Sequence, residues 1–152
     1  DARVLVDQAQ ILAQQNRVTF NSPIEPISVI RMIADRKQMS TQYGGMRPYG
    51  VAVMIAGVNK GKQYLYTTDV TGNYTAFKAN AIGEHDEKIK EILRRDFKED
   101  MDVDEGIKFA LKIFKGILEK NFDLSRFEVG YIKLKDEKLA RLQGDELKKY
   151  VK

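Results

Sequence analysis

The sequence predicts an α+β fold in which pairs of helices lie against layered β-sheet. Three observations carry that expectation. Segments of helical period come in two pairs, at residues 1–16 and 26–41 and again at 84–98 and 102–118. Three short stretches rich in β-branched and aromatic residues lie between the pairs, and two more follow the second pair. The length of 152 residues fits a single domain, residues 1–152, with no internal repeat or low-complexity linker to divide it.

In the first segment Leu5, Ala9, Leu12 and Ala13 recur at helical spacing, with Gln8, Gln10, Gln14 and Gln15 among them. A solvated helix face is usually charged, whereas this one is rich in amides. Two readings stand: a face that packs on a partner, or a weakly charged surface helix. Asn21, Ser22 and Pro23 then break the pattern. Pro26 suits the first turn of a second helix, where its missing N–H is not needed. That helix, residues 26–41, turns Val29 or Ile30, then Ile33, Ala34 and Lys37 inward, the last through its methylene stem. It is expected to stop at Gly44 and Gly45, where a left-handed backbone costs little.

Residues 51–58 form a continuous apolar run, read as a strand covered on both faces. The run is far short of the ~20 residues needed to span a bilayer, so no membrane segment is expected. Turn chemistry at 59–62, a strand at 63–68, a turn at 69–73 and a strand at 74–79 complete an antiparallel meander. After Gly83 the period is helical again, with Ile89, Ile92, Leu93 and Phe97 on one face of residues 84–98. Asp102 and Glu105 have the spacing of a capping box. They open a helix with the strongest apolar stripe of the chain: Ile107, Ala110, Leu111, Phe114, Ile117 and Leu118. Residues 127–135 and 138–142 read as a hairpin across Asp136 and Glu137, and Asp145 is expected to cap a short last helix at 146–150.

Catalytic chemistry finds little purchase. The chain has no cysteine, which removes disulfides, thiolate metal sites and a thiol nucleophile, and fits a reducing interior. Its one histidine, His85, sits among Glu84, Asp86 and Glu87 and reads as a solvated residue. The acidic run at 99–105 lacks the ligand spacing and central glycine of a calcium loop. None of Ser22, Ser28, Ser40 and Ser125 lies in a Gly-x-Ser-x-Gly elbow. Gly44-Gly45 lacks the Lys-Ser/Thr of a phosphate loop. Asp stands at residue 1, which closes the route through an N-terminal Thr nucleophile for this terminus. No catalytic, metal or cofactor residue is therefore assigned, and no cofactor is expected. Lys108, Lys112 and Lys115 make a basic helical stripe. The net charge of +4 is mild and its acids are interspersed, so the stripe reads as a solvated face and not a nucleic-acid site.

The most telling stretch is residues 43–50, Tyr-Gly-Gly-Met-Arg-Pro-Tyr-Gly. Gly44 and Gly45 allow a reversal after the helix. Arg47 brings a planar cation near the helix C-terminus. Pro48 holds Arg47 extended, and Gly50 permits close packing where the strand begins. By chemistry alone this is a helix-to-strand connector, a structural motif of Tyr43, Gly44, Gly45, Arg47, Pro48 and Gly50.

In its wider context, however, the stretch from Thr41 to Val51, running into Ile55-Ala56-Gly57, resembles the signature of archaeal proteasome core-particle α-subunits. Asp1-Ala2-Arg3-Val4-Leu5-Val6-Asp7 with Ala13-Gln14-Gln15 is similar to the first long helix of that family. Lys78-Ala79-Asn80-Ala81-Ile82-Gly83, Glu128-Val129-Gly130-Tyr131-Ile132 and Asp145-Glu146-Leu147-Lys148-Lys149-Tyr150 resemble later parts of it, in order and without large insertions.

The resemblance implies the four-layer α-β-β-α sandwich of the N-terminal nucleophile hydrolase superfamily. It implies that the first strands of both sheets, about a third of the subunit, precede Asp1 and are absent from this chain. That agrees with a terminus showing neither initiator Met nor signal-peptide features, and with the thin supply of strands. Family function implies a non-catalytic subunit of a cytoplasmic protease assembly. Its partners would be other α-subunits in a heptameric outer ring that gates substrate entry, and β-subunits that carry the catalytic Thr. A regulatory ATPase would dock through the portion not present here; nucleic acid and membrane are not expected partners. Because the family packs its first long helix at the junction of the α and β rings, Gln8, Gln10, Gln14 and Gln15 are the candidate subunit interface. The open sheet edges of such a piece imply instability, oligomerisation or completion by another chain. Two other readings stand beside this one: a stand-alone hydrolase of the same superfamily, and a basic nucleic-acid-binding module using the Lys108, Lys112 and Lys115 stripe.

Overall fold

The computed structural model describes residues 1–151 and divides into two compact units, Asp1–Gly83 and Glu84–Lys152. The expected α+β content is present: two helices and a three-stranded sheet in the first unit, two helices and a two-stranded sheet in the second.

The first unit opens with α1 (Ala2–Phe20), which runs beyond the expected end at Asn16. Asn21 supplies the stop. It takes the left-handed conformation at φ 50° and its N–H donates to the Arg17 carbonyl at 2.9 Å. A second helix, α2 (Pro26–Gln42), carries proline in its first turn as expected. Its buried residues, Pro26, Val29, Ile30, Ile33, Ala34, Lys37 and Ser40, follow one helical stripe. Leu5 of α1 joins Val29 and Ile33 in the core of this unit, with Ala9, Ile24, Met32, Tyr49, Val51, Val53 and Ile55 packed around them.

The strands β1 (Val53–Asn59), β2 (Lys62–Thr68) and β3 (Tyr74–Ala76) form the expected antiparallel meander in the order β1-β2-β3. Val53 pairs with Thr68 and Asn59 with Lys62 across the first hairpin, and Tyr66 pairs with Ala76 across the second. The expectation of a strand covered on both faces is corrected. No residue of β1 is fully buried and Ala56 is exposed, because α2 covers the sheet while β1 stands at its edge. Gly57 is the point of closest approach: a Cβ there would lie 3.0 Å from the ring of Pro26.

The second unit begins with α3 (Asp86–Asp96), shorter at both ends than expected. His85 precedes it at φ 63°, exposed beside Glu84. Helix α4 (Val103–Leu118) starts at the capping box foreseen from sequence. The Glu105 N–H donates to Asp102 Oδ1 at 2.8 Å, and the Asp102 N–H donates to Glu105 Oε2 at 3.0 Å. Of its apolar stripe, Ile107 and Leu111 are buried, Phe114, Ile117 and Leu118 are half-buried, and Ala110 is exposed. The hairpin of β4 (Glu128–Ile132) and β5 (Leu139–Gln143) packs near this stripe with Leu147 and Tyr150. The expected short last helix is present at Gly144–Tyr150, as a 3-10 helix. Asp145 is not its cap: Gln143 and Glu146 make a reciprocal box, and Asp145 instead pairs with Lys148 at 2.7 Å. The Tyr150 hydroxyl reaches back to donate to Asp104 Oδ1 at 2.7 Å.

Candidate functional site

The first unit gathers the residues singled out from sequence, and their roles differ from those expected. Helix α2 does not stop at the glycine pair. Its cap is Tyr43, extended at φ −96° with its N–H on the Met39 carbonyl, and only Gly45 is left-handed, at φ 82°. Gly44 and Gly45 have open space where a Cβ would stand. The pair turns the chain one step after the helix has closed on ordinary backbone geometry.

Arg47 likewise does not serve the end of α2. Its guanidinium forks the carboxylate of Asp1, with Nη1 to Oδ2 and Nη2 to Oδ1 both at 2.7 Å. The Gly50 N–H donates to the same Oδ2 at 3.0 Å. Asp1, at the N-cap of α1, makes no side-chain bond to its own helix. Its carboxylate instead ties the helix start to the 43–50 turn, beside the favourable positive end of the helix dipole. The neighbouring Tyr49 hydroxyl accepts from Arg36 Nε at 2.8 Å. Tyr43, Gly44, Gly45, Met46, Arg47, Pro48 and Gly50 are all exposed, so the turn is a surface feature held by polar contacts.

Sequence reading placed the stem of Lys37 inward but missed the role of its ammonium. Lys37 is fully buried, and its Nζ donates to the Val51 carbonyl at 2.6 Å and the Asp69 carbonyl at 2.9 Å. One side chain thereby joins α2 to the approach of β1 and to the β2–β3 turn. Burial pushes its pKa below the usual lysine value, partly opposed by the charge of Asp69. Asp69 organises that turn: its Oδ1 accepts from the N–H groups of Thr71, Gly72 and Asn73 at 2.9, 2.9 and 3.0 Å. The Thr71 hydroxyl adds a bond at 2.7 Å, the leading cause that holds the Asp69 carboxyl below its ordinary value. The pairing of a buried Lys with a turn Asp 32 residues later is the signal sequence alone did not supply.

The four glutamines of α1 do not share one face. At about 100° per residue, Gln8 and Gln15 fall on one side of the helix and Gln10 and Gln14 on the other. Gln10, Gln14 and Gln15 are exposed, and Gln8 is half-buried. Between α1 and α2 runs a groove of about 610 Å³, lined by Leu12, Ile24, Met32, Met39 and Met46 with Arg31 and Asp35. Exposed methionines, here Met39 and Met46, suit an adaptable contact surface. In the second unit Lys108, Lys112 and Lys115 are exposed along α4. Among the described residues no helix is long and apolar enough to cross a membrane.

The chain matches the family model described as proteasome subunit over residues 1–132. It is 41% identical over 151 residues to a protein named proteasome subunit alpha from Methanosarcina acetivorans, covering 99% of this chain and 61% of the relative. A protein of the same name from Pyrococcus horikoshii is 42% identical over 99% of this chain and 57% of its own length. One from Archaeoglobus fulgidus is 38% identical over 99% of this chain and 61% of its own. The chain thus spans about three fifths of the length of the curated relatives it matches.

Proposed function

The chain belongs to the proteasome subunit family, and on that premise we propose that it acts as a non-catalytic structural subunit of the proteasome core particle. The observation that carries this reading is the identity of about two residues in five with proteins named proteasome subunit alpha, sustained over 99% of the chain. The reading takes the protein as a member of a cytoplasmic α-ring that gates substrate entry and receives a regulatory ATPase, with the catalytic Thr on β-type subunits.

The two units are proposed as one domain whose sheets belong to a four-layer α-β-β-α sandwich. Supporting this, each unit supplies a helix pair and one antiparallel sheet. Helix α1 is proposed to meet neighbouring subunits, with Gln8 and Gln15 on one side and Gln10 and Gln14 on the other as its candidate contacts. The low charge of that helix and the exposed Val4, Ile11 and Val18 on it favour packing over solvation.

The test is co-expression of the protein with a β-type subunit of the family, followed by sedimentation and electron microscopy. The expected result is a ring assembly with peptidase activity that depends on the β-type Thr. A protein that hydrolyses peptides without a β-type partner, or that never enters a ring beside one, would sink the proposal.

A further inference from the structure

Every sulfur of this chain is a thioether, because the sequence holds five methionines and no cysteine. Three of the five, Met32, Met39 and Met46, line the groove between α1 and α2, beside Leu12 and Ile24. Met32 and Met39 stand seven residues apart on α2 and so share one face of that helix. Met46 joins them from the turn that follows. Exposure separates the five: Met39 and Met46 are 52% and 51% exposed, whereas Met32, Met54 and Met101 are half-buried.

Hydrogen peroxide oxidises the thioethers that it reaches, and susceptibility follows exposure. The sulfur lone pair attacks one peroxide oxygen, the S–O bond forms as the O–O bond breaks, and hydroxide departs. That hydroxide takes the proton from the transferred oxygen, so the products are one sulfoxide and one water. Two electrons pass from sulfur to peroxide. With no thiol in the chain to compete for the oxidant, the exposed pair takes the reaction. A thioether is soft and apolar and adapts to an apolar partner. A sulfoxide carries a polar oxygen, which is costly to bury without a donor.

We propose that Met39 and Met46 are oxidation sites of this chain, and that their sulfoxides turn the α1–α2 groove from an apolar contact surface into a polar one. Peroxide then weakens the contact that this face makes, and methionine sulfoxide reductases restore it. The loss of contact rests on the reading of α1 as a surface that meets neighbouring subunits, whereas the choice of sites rests on exposure alone. Met32, half-buried against the core of the first unit, keeps its thioether and the packing beneath the groove.

The test has two readouts. A brief pulse of hydrogen peroxide on the purified protein, followed by peptide mapping in a mass spectrometer, is expected to oxidise Met39 and Met46 several-fold faster than Met32, Met54 and Met101. The oxidised protein, freed of peroxide, is then mixed with an untreated β-type subunit of the family and followed by sedimentation. Assembly is expected to fall several-fold and to recover after treatment with the reductases. A double variant carrying Met39→Leu and Met46→Leu keeps the apolar volume of the groove and has no sulfur there to oxidise. It is expected to assemble equally well with and without the pulse.

Uniform oxidation of the five methionines, or oxidation that starts at Met32, overturns the choice of sites. A double variant that loses assembly as the parent does shows damage elsewhere and overturns the role of the groove. Oxidised parent that assembles as well as untreated parent overturns the loss of contact and leaves the proposed function standing. Untreated parent that never assembles overturns the proposed function and the loss of contact together, and the peptide map still decides the sites.

Discussion

The guanidinium of Arg47 grips the carboxylate of Asp1 through two bonds of 2.7 Å, across 46 positions of sequence. The Gly50 N–H joins the same carboxylate. A turn that reads as a local connector is therefore anchored at the start of a different helix. The Arg47 side chain is 73% exposed and that of Asp1 is 21% exposed, so the pair sits where solvent screens it. Arg47→Ala is expected to cost about 0.5–1 kcal/mol, the range for a well-formed bidentate surface pair. Arg47→Lys should recover only part of that, because an ammonium cannot fork. Asp1→Ala should cost somewhat more, since it also releases the Gly50 N–H. Urea melts of the two single variants and the double variant would show the coupling, and additive losses would mean that the fork is energetically idle.

Replacing Lys37 by Met keeps the stem and removes the ammonium. The Val51 carbonyl then loses its donor and the Asp69 carbonyl keeps only the Thr68 hydroxyl. The expected destabilisation is about 1–3 kcal/mol, the cost of leaving the Val51 carbonyl unmatched. A Met variant as stable as the parent would show that water replaces the ammonium.

The same two residues give stability a pH dependence. The pKa of Lys37 is lowered in the fold. Between that lowered value and the ordinary lysine value the unfolded chain binds more protons, so this residue makes stability rise with pH there. The carboxyl of Asp69 is also held low. Its contribution is present above the ordinary carboxylate value and is lost as pH falls through the lowered one. Asp69→Asn keeps an acceptor for the Thr71, Gly72 and Asn73 N–H groups but does not titrate. Denaturation midpoints of this variant should fall less on acidification than those of the parent, and parallel acid profiles would exclude Asp69 as the source.

Gly72 offers a steric test. At φ 95° a Cβ there would lie 2.5 Å from the Ala34 carbonyl oxygen of α2. Neither that backbone nor the left-handed geometry can yield cheaply. Gly72→Ala is expected to lower stability by about 2 kcal/mol or more. By contrast Gly44→Ala, with open space around it and no positive φ, should be nearly neutral. Thermal melts of the two variants side by side would separate them.

The capping box gives a local prediction in the second unit. Asp102→Ala removes the acceptor for the Glu105 N–H and should cost about 1 kcal/mol. Asp102→Asn or Asp102→Ser should restore most of it. Hydrogen exchange at the first turn of α4 is the sensitive readout, and unchanged protection there would deny the cap its role.

Sequence alone determined what depends on near neighbours. The helical stripe of α2, the proline at its start, the meander of β1 to β3 and the Asp102–Glu105 box each rest on residues a few positions apart, and each formed as the spacing dictates. Where competing local signals were close, local reading erred. Helix α1 ran four residues past its expected end, up to the break at Asn21, and the Gln143–Glu146 box displaced Asp145 as a cap. The motif at 43–50 was legible as a family marker, but its partner was not, because nothing near Arg47 announces Asp1. Lys37 was visible as an inward stem; its pairing with the Val51 and Asp69 carbonyls required the helix, strand and turn to converge. The tertiary structure also split the four glutamines of α1, leaving an apolar stripe on the side of Gln8 and Gln15. Periodicity fixes which residues share a helix face, whereas which face is covered depends on where the other elements lie.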